Sequence, residues 1–307
     1  MKIKSLLIND KVAIVAPSGY LNKDDLNKAI QFLKENNLIP VFGKNLFKKS
    51  GTGYNFAGTD VQRVYDFQEA INNKNIKAIW CARGGYGAVK IIDKLDFSSL
   101  KNNFKWIIGY SDITIIHNKL NALKIPSLHA VTAKSFSTNA SIESYISLKK
   151  VLFKKKLKYN IELKSKNYRN EIKGKLVGGN LSLIYSQLGV LKKTFFKNKI
   201  LFIEDWHEDY YHLDRMIMNM KRNGVFNQIK ALVIGSFTKM DDKDNLFYNK
   251  DFDETANKII TDELEAYNFP IFYNFPAGHI NDNRALIFGL NLSITKNKDN
   301  FVFDFNK

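Results

Sequence analysis

Short apolar runs alternate with amphipathic segments over the first 130 residues, and this alternation limits the fold more than any other feature of the sequence. The candidate strands are residues 12–16, 76–82 and 106–109. The candidate helices are residues 23–36, 60–72 and 113–123. Strands that alternate with helices predict a parallel sheet covered by helices, an α/β fold. Ligands of such sheets bind beyond the carboxyl ends of the strands.

The amino-acid composition of the chain changes after residue 135. Residues 136–170 are polar and rich in Ser, Asn and Lys around one amphipathic stretch, which is typical of a connection between domains. Apolar runs resume from Glu171 onward. We therefore predict an N-terminal α/β domain over residues 1–135, an interdomain crossover over 136–170 and a C-terminal β/α domain over 171–307.

The second domain carries its own set of predicted elements. Strands are predicted at residues 200–203, 231–235 and 286–290, a helix at 213–223, an edge hairpin at 291–306 and a loop at 241–249.

The charge balance invites a nucleic-acid hypothesis, which the sequence does not support. The net charge is +17, but the basic residues are mostly scattered lysines. There is no zinc-finger spacing, no RNP-like aromatic motif and no basic zipper, so we predict no nucleic-acid partner. The densest cluster, residues 149–158, is either a solvated helical face or an anion-binding patch. The positive field would help to attract an anionic substrate.

Segments for export and membrane insertion are not evident. No run of 18 apolar residues exists, and the N-terminus has no long apolar stretch with a small-residue cleavage site. We therefore predict a cytoplasmic protein without membrane contact. The one cysteine, Cys81, lies in an apolar run and is predicted to be a buried, inert thiol.

Ser111 follows an apolar strand and precedes a helical pattern. A serine at a sharp strand-to-helix turn exposes its hydroxyl beside backbone N–H groups that can hold an oxyanion. The string Gly109-Tyr-Ser-Asp-Ile lacks the second glycine of a G-x-S-x-G elbow. Ser111 is therefore either a nucleophile or a helix N-cap, and this segment alone does not decide.

A second strand ends in the glycine-rich string Arg83-Gly-Gly-Tyr-Gly87. Glycines allow a backbone to approach a ligand closely, and N–H groups at a helix start favour negative charge. The spacing fits neither the dinucleotide fingerprint nor the P-loop. The string is either a ligand-binding loop or a tight turn without a ligand.

Acidic residues and histidines are the remaining candidates for catalytic groups. A strand delivers Glu204 and Asp205 at its end, and a carboxylate there can fix an imidazole tautomer. His279 lies in a Gly- and Asn-bearing loop, where a histidine can shuttle protons. His207 and His212 lie five residues apart, which does not place both on one helical face, so we predict no metal site.

Two further histidines are considered as alternatives. His117 falls on the helix after Ser111, where packing is the expected role, and His129 near a strand end is a weaker rival base.

Taken together, these segments resemble the LD-carboxypeptidase family of serine peptidases, which includes the microcin C immunity peptidases. The resemblance covers nearly the whole chain, and the order of its motifs is specific although each motif alone is weak. The motifs are Val12-Ala-Ile-Val-Ala-Pro-Ser-Gly19, Arg83-Gly-Gly-Tyr-Gly-Ala88, Gly109-Tyr-Ser-Asp-Ile-Thr114, Gly178-Gly-Asn-Leu-Ser182, Phe202-Ile-Glu-Asp205, Asp214-Arg-Met216, Gly278-His279 and Asn283 before Gly289.

The resemblance implies a catalytic triad of Ser111 as nucleophile, Glu204 as orienting acid and His279 as general base. It also implies that the backbone N–H groups of Gly85 and Asp112 form the oxyanion hole. A flavodoxin-like N-terminal domain, a swivelling β/α C-terminal domain and a homodimer are expected from it. No metal and no organic cofactor are implied.

The function implied by the resemblance is hydrolysis of an L,D-peptide bond, releasing terminal D-alanine from cytoplasmic murein tetrapeptide in cell-wall recycling. Two alternatives remain open: a related serine hydrolase that cleaves a peptidyl-nucleotide for self-immunity, and a non-catalytic anion- or nucleotide-binding α/β protein. Arg83 could grip the substrate carboxylate or pair with a structural carboxylate, and Trp206 could stack on a base. The substrate-binding candidates are Arg83, Gly84, Tyr86, Asn180 and Trp206.

Overall fold

The structure is a computed structural model that describes residues 5–153, 155–241 and 251–305 of the chain. It divides into two compact units, Met1–Lys155 with Asn281–Leu286, and Lys156–Ile280 with Ile287–Lys307. The division between Lys155 and Lys156 falls inside the segment predicted as a crossover. The loop expected at 241–249 lies, apart from Asp241, outside the described residues.

The first unit contains five strands and six α-helices within the described residues. The strands are β1 (Lys11–Val15), β2 (Ile39–Phe42), β3 (Ile76–Cys81), β4 (Trp106–Gly109) and β5 (Ser127–His129). The helices are α1 (Asn27–Glu35), α2 (Asp60–Asn72), α3 (Ala88–Ile91), α4 (Thr114–Ala122), α5 (Ala133–Thr138) and α6 (Ile142–Leu152). Short 3₁₀ helices span Lys23–Leu26, Ile92–Lys94, Ser98–Lys101 and Ser111–Ile113.

The later part of the chain supplies the remaining elements. The strands are β6 (Lys158–Glu162), β7 (Ser165–Lys166), β8 (Ile172–Asn180), β9 (Lys199–Trp206), β10 (Ala231–Thr238), β11 (Ile271–Phe272), β12 (Leu286–Phe288), β13 (Asn291–Asn297) and β14 (Asn300–Asp304). The helices are α7 (Leu181–Ser186), α8 (Tyr210–Arg222) and α9 (Glu254–Glu263). None of the helices in the described ranges is long and apolar enough to cross a membrane.

The first sheet has the strand order β12-β5-β4-β3-β1-β2. Strands β1 to β5 pair in parallel, which confirms the α/β fold predicted from the alternating pattern. The predicted strand at 286–290 is shorter than expected and pairs in this sheet, although the sequence assigned it to the second domain. Helix α2 begins at Asp60, and Thr59 is the N-cap of its capping box.

The second sheet has the order β6-β14-β13-β8-β9-β10-β11-β7. Its centre, β8 to β11, is parallel, and antiparallel strands flank the centre on both sides. The hairpin predicted at 291–306 is present as β13 and β14, with Asn306 outside the described residues. Helix α8 begins three residues earlier than predicted because the polar residues before Leu213 form its first turn.

The residues expected to be a polar crossover contain regular structure. Helix α6 occupies Ile142–Leu152 and buries Leu148, Val151 and Leu152. The helix begins at Ser141, whose side chain accepts a hydrogen bond from the Ser144 N–H group.

One face of the second sheet packs against helices. Leu201 and Ile203 of β9 belong to the same buried cluster as Leu213 of α8 and Ile260 of α9. Because side chains alternate along a strand, Glu204 has the same orientation as Phe202 and points to the opposite face. The carboxylate is fully buried there. The packing of β9 therefore directs Glu204 away from the helices.

Candidate active site

Ser111 lies at the turn between β4 and α4. Its backbone has φ of +63°, a left-handed conformation that non-glycine residues rarely adopt. The N-cap positions of the two helical segments here are Tyr110 and Ile113, so Ser111 occupies neither. Strained backbone of this kind clusters at functional sites. The geometry favours the nucleophile interpretation of Ser111 over the N-cap interpretation.

The glycine-rich string lies directly against Ser111. A Cβ atom placed on Gly84 would lie 2.9 Å from the Ser111 Cβ and 3.1 Å from its hydroxyl oxygen. A larger residue at position 84 would therefore collide with the serine. Gly85 adopts φ of +102°, which suits glycine alone. The structure thus brings the two predicted segments, 83–87 and 109–114, to one place.

Asp112 connects these two segments through its side chain. The carboxylate is buried, and its Oδ2 accepts a hydrogen bond of 2.8 Å from the Ala88 N–H group at the start of α3. Burial raises the pKa of this carboxyl, although nearby donors and the charge of Arg63 oppose that shift. The family resemblance implied a role only for the backbone of Asp112, so this side-chain contact was not predicted. A carboxylate directly after a turn serine is the signal that could have indicated it.

Two of the predicted substrate-binding residues lie beside this turn. The Arg83 guanidinium donates a hydrogen bond to the Tyr20 carbonyl, and its charge helps to lower the pKa of Asp25 against the raising effect of burial. Tyr86 is 44% exposed and its ring contacts the rings of Tyr54 and Phe56. Arg83 is thus bonded to a backbone carbonyl, and Tyr86 offers an exposed aromatic surface.

Glu204 and His279 form a hydrogen-bonded pair in the second unit. The His279 Nδ1 atom lies 2.7 Å from Glu204 Oε2. The carboxylate is fully buried and the imidazole side chain is 15% exposed. A carboxylate on Nδ1 holds the proton there and leaves Nε2 as the basic nitrogen. This is the arrangement that a general base requires.

Gly278 makes this pair possible. A Cβ atom on Gly278 would lie 2.8 Å from Glu204 Oε2 and 2.3 Å from Ser236 Oγ. The residue also adopts φ of +122°, which side chains disfavour. Glycine is therefore required here for both space and backbone conformation. The sequence resemblance named this glycine without a physical reason.

The surroundings of His279 favour its charged form. Burial acts to lower its pKa, but the charge and hydrogen bond of Glu204 and the charge of Asp205 outweigh burial, so the pKa is raised above its ordinary value. The Trp206 ring stacks on the imidazole, with centroids 5.8 Å apart and planes 18° from parallel. Trp206 is 46% exposed, so one part of its ring covers the imidazole while another faces solvent.

The second acid of the strand end, Asp205, has a different role. Its oxygens accept hydrogen bonds from Asn180 Nδ2 at 2.7 Å, from the Ser182 N–H group at 2.8 Å and from the Trp206 N–H group at 2.9 Å. Burial and the neighbouring charge of Glu204 raise the pKa of Asp205 to about 7. Asn180 caps α7 through its other side-chain atom. Asp205 therefore ties the Gly-rich end of β8 to the end of β9.

The other histidines have structural contacts. His117 is fully buried, its Nε2 lies 2.8 Å from the Gly109 carbonyl oxygen, and burial lowers its pKa to about 4. His129 is also fully buried in β5, with its ring near those of Tyr110 and His117. His212 Nδ1 lies 2.5 Å from Glu208. Across the described ranges, no group of three or more His, Cys, Asp or Glu residues could hold a metal ion.

Cys81 is buried, as predicted, and burial raises the pKa of its thiol. The thiolate is the nucleophilic form of cysteine, so this shift keeps the residue unreactive.

The predicted site residues thus form two sets. Ser111 lies with Gly84, Gly85 and Asp112 in the first unit, and Glu204 lies with His279 and Trp206 in the second. The triad that would join the two sets stays a prediction.

Comparison with known proteins identifies the family. Residues 12–130 match the LD-carboxypeptidase N-terminal domain, and residues 173–294 match the LD-carboxypeptidase C-terminal domain. A probable murein peptide carboxypeptidase of Bacillus subtilis is 29% identical over 295 residues, which cover 94% of this chain and 89% of that protein.

Two solved structures share the fold. The muramoyltetrapeptide carboxypeptidase from Oxalobacter formigenes superposes with a TM-score of 0.81 at 25% identity, covering 97% of this chain and 99% of that one. The microcin C7 self-immunity protein MccF, in complex with aspartyl sulfamoyl adenosine, gives a TM-score of 0.81 at 22% identity, covering 98% and 97%. The family match overturns the non-catalytic alternative. The chain belongs to the LD-carboxypeptidase family and is a serine carboxypeptidase, a hydrolase.

Proposed function

We propose that this carboxypeptidase hydrolyses the L,D-peptide bond that precedes the terminal D-alanine of murein tetrapeptide. The observation that carries the proposal is the buried Glu204–His279 pair, with 2.7 Å between Oε2 and Nδ1. The names of the Bacillus subtilis and Oxalobacter formigenes relatives support the substrate class. A cytoplasmic role in cell-wall recycling and a homodimeric state belong to the same proposal.

In the proposed mechanism, the Ser111 hydroxyl attacks the scissile carbonyl carbon. His279 Nε2 takes the hydroxyl proton and then gives it to the leaving amine of D-alanine. Glu204 holds the imidazole in the required tautomer and stabilises the imidazolium. Water, activated by His279, hydrolyses the acyl-enzyme and restores the Ser111 hydroxyl. The mechanism requires Ser111 to come within hydrogen-bond distance of His279 during catalysis.

The developing oxyanion needs donors near Ser111, and the backbone N–H groups of Gly85 and Asp112 are proposed to supply them. The Asp112 N–H group belongs to the first turn of the helical segment at Ser111–Ile113, where N–H groups lack intrahelical acceptors. Gly85 follows Gly84, which lies against the serine. Each donor would contribute about 3–4 kcal/mol to transition-state stabilisation.

An exopeptidase must also recognise the free carboxylate of its substrate. We propose Arg83 for this role, because a guanidinium has five N–H donors and binds carboxylates in a bidentate manner. Its bond to the Tyr20 carbonyl fixes the side chain beside the glycine-rich string. Tyr86, exposed on the same string, would contact the peptide.

The test incubates the purified protein with murein tetrapeptide and measures released D-alanine by mass spectrometry. Wild type should release D-alanine and Ser111→Ala should not, because the nucleophile is lost. Ser98→Ala is the matched control, since Ser98 is an exposed serine of the same unit whose hydroxyl bonds only to Asp96 among the described residues. Release by Ser111→Ala at the wild-type rate would exclude Ser111 as the nucleophile.

A second candidate substrate is an aminoacyl sulfamoyl adenosine, the type of ligand named for the MccF structure. The observation that favours it is the partly exposed Trp206 ring, which could stack on a nucleobase while covering His279. The same assay with aspartyl sulfamoyl adenosine separates the two substrates. Cleavage of this compound without D-alanine release from tetrapeptide would favour the second candidate.

A further inference from the structure

A buried serine lies beside Glu204 on the neighbouring strand. Ile203 pairs with Ile234 and Asp205 pairs with Phe237, so two residues of β10, Gly235 and Ser236, lie opposite Glu204 alone. Such a β-bulge redirects side chains and is frequent next to active sites. Ser236 is fully buried, as is Glu204.

The Ser236 hydroxyl and the Glu204 carboxylate lie around one point. A Cβ atom on Gly278 would be 2.3 Å from Ser236 Oγ and 2.8 Å from Glu204 Oε2. The distance between these two oxygens is therefore at most the sum of those two distances. Within the described part of the chain, neither Ser236 Oγ nor Glu204 Oε1 has a hydrogen-bond partner. Buried polar atoms are almost always hydrogen-bonded, and a carboxylate gains most from a donor.

The end of β10 also holds the backbone of the His279 loop. The Ser236 N–H group donates to the Ala277 carbonyl at 2.9 Å, and the Thr238 hydroxyl donates to the His279 carbonyl at 3.4 Å. Residues 236 and 238 thus fix the loop on both sides of Gly278. The backbone of Ser236 is therefore anchored to the same loop that carries the base.

We propose that Ser236 is a positioning residue, whose hydroxyl donates a hydrogen bond to one ordered water that in turn donates to the Glu204 carboxylate. The bond holds one side of the Glu204 carboxylate, so that its other oxygen is directed to His279 Nδ1. A hydroxyl is suited to this task because it is small, neutral and able to donate. The proposal rests on the proposed role of the Glu204–His279 pair.

The test measures the pKa of His279 by NMR of the full-length protein labelled with ¹⁵N-histidine, with the signal assigned by its loss in His279→Gln. In Ser236→Ala the pKa should fall by about 0.5–1 unit, since a Glu204 carboxylate that is no longer held in place makes a poorer contact with the imidazolium. The kcat for tetrapeptide should fall about fivefold or more, with KM unchanged. Ser293→Ala, which removes a buried hydroxyl bonded to Glu171 in the same unit, should leave the His279 pKa unchanged.

A double variant tests whether Ser236 acts through Glu204. In a Glu204→Gln background, the additional Ser236→Ala change should not shift the His279 pKa further. An unchanged pKa in Ser236→Ala, or an equal decrease in the Glu204→Gln background, would overturn the proposal. The NMR titration does not require turnover of substrate. A wild-type protein that releases no D-alanine would therefore refute the proposed function, while the His279 pKa values would still decide the role of Ser236.

Discussion

Replacing Gly278 by alanine should disrupt the candidate site through a single methyl group. That methyl would lie 2.3 Å from Ser236 Oγ and 2.8 Å from Glu204 Oε2, and both distances are below the closest approach that packed atoms allow. The third neighbour, Glu204 Cβ, would lie at 2.9 Å. Relief requires either movement of the loop that carries His279 or rotation of the carboxylate. Either movement breaks the 2.7 Å contact between Glu204 and His279.

Two terms contribute to the expected loss of stability. The backbone at φ of +122° disfavours a side chain by about 1–3 kcal/mol. Inserting a methyl into a packed site adds about 1–3 kcal/mol. The free energy of unfolding should therefore fall by about 2–6 kcal/mol, a large part of the about 5–15 kcal/mol typical of a folded protein. If the loop moves instead, stability falls less and activity more.

The assay combines urea unfolding with D-alanine release, and Gly224→Ala provides the matched control. Gly224 also has a positive φ, +70°, but a Cβ atom there would have no neighbour within 4 Å. Its replacement should cost only about 1 kcal/mol from the left-handed backbone and leave kcat/KM unchanged. Gly278→Ala should be about 1–5 kcal/mol less stable than this control or lose at least about 100-fold in kcat/KM. Values within error of the control for both quantities would refute the steric argument.

Three further predictions concern other parts of the molecule. Lys105→Met should lower the free energy of unfolding by about 1–3 kcal/mol in urea titrations and leave KM unchanged. The reason is that the buried ammonium donates to three carbonyl groups at the end of α2. An unchanged free energy of unfolding would contradict this prediction. The kcat/KM should fall with decreasing pH through a pKa above 6.5, since neutral His279 is the base. In Glu204→Gln this acidic limb of the pH profile should move to lower pH, because burial of the imidazole then acts without the carboxylate charge. An acidic limb that does not move would exclude a Glu204–His279 pair in solution. Trp206→Ala should lower kcat more than Trp206→Phe does, because phenylalanine preserves the ring over His279; equal kcat values in pH-rate measurements would assign Trp206 to substrate contact alone.

The parallel sheet of the first unit could be predicted because its strands are short, apolar and separated by helical patterns. Strand β4 was predicted at its observed bounds, Trp106–Gly109, since four buried residues end at a glycine. The crossover was less predictable. The polar composition of residues 136–170 indicated a connection around one amphipathic stretch, but not the bounds of α6. The helix buries Ser144 and Ser147 beside Leu148, Val151 and Leu152, so its buried face is not marked by apolar residues alone.

The Glu204–His279 pair illustrates what a sequence can and cannot give. That β9 ends in two acids was evident, and the resemblance selected Glu204 as the one that orients the base. The contact itself spans 75 positions of the chain and depends on the tertiary fold. The role of Asp205 was missed because its partners, Asn180 and Ser182, lie at the end of β8 and the start of α7. Local patterns do not encode which strand ends become neighbours.

Ser236 could not have been found from strand periodicity, because the periodicity predicts the wrong face. Leu232 and Ile234 of β10 belong to the cluster under the helices, so simple alternation would direct Ser236 to the same side. The bulge after Ile234 reverses this pattern, and Phe237 takes the place beneath the helices. Ser236 consequently lies on the side of Glu204 and Gly278. One extra residue in β10 thus decides whether the Ser236 hydroxyl is buried among apolar side chains or beside Glu204. The composition of the segment does not indicate this extra residue.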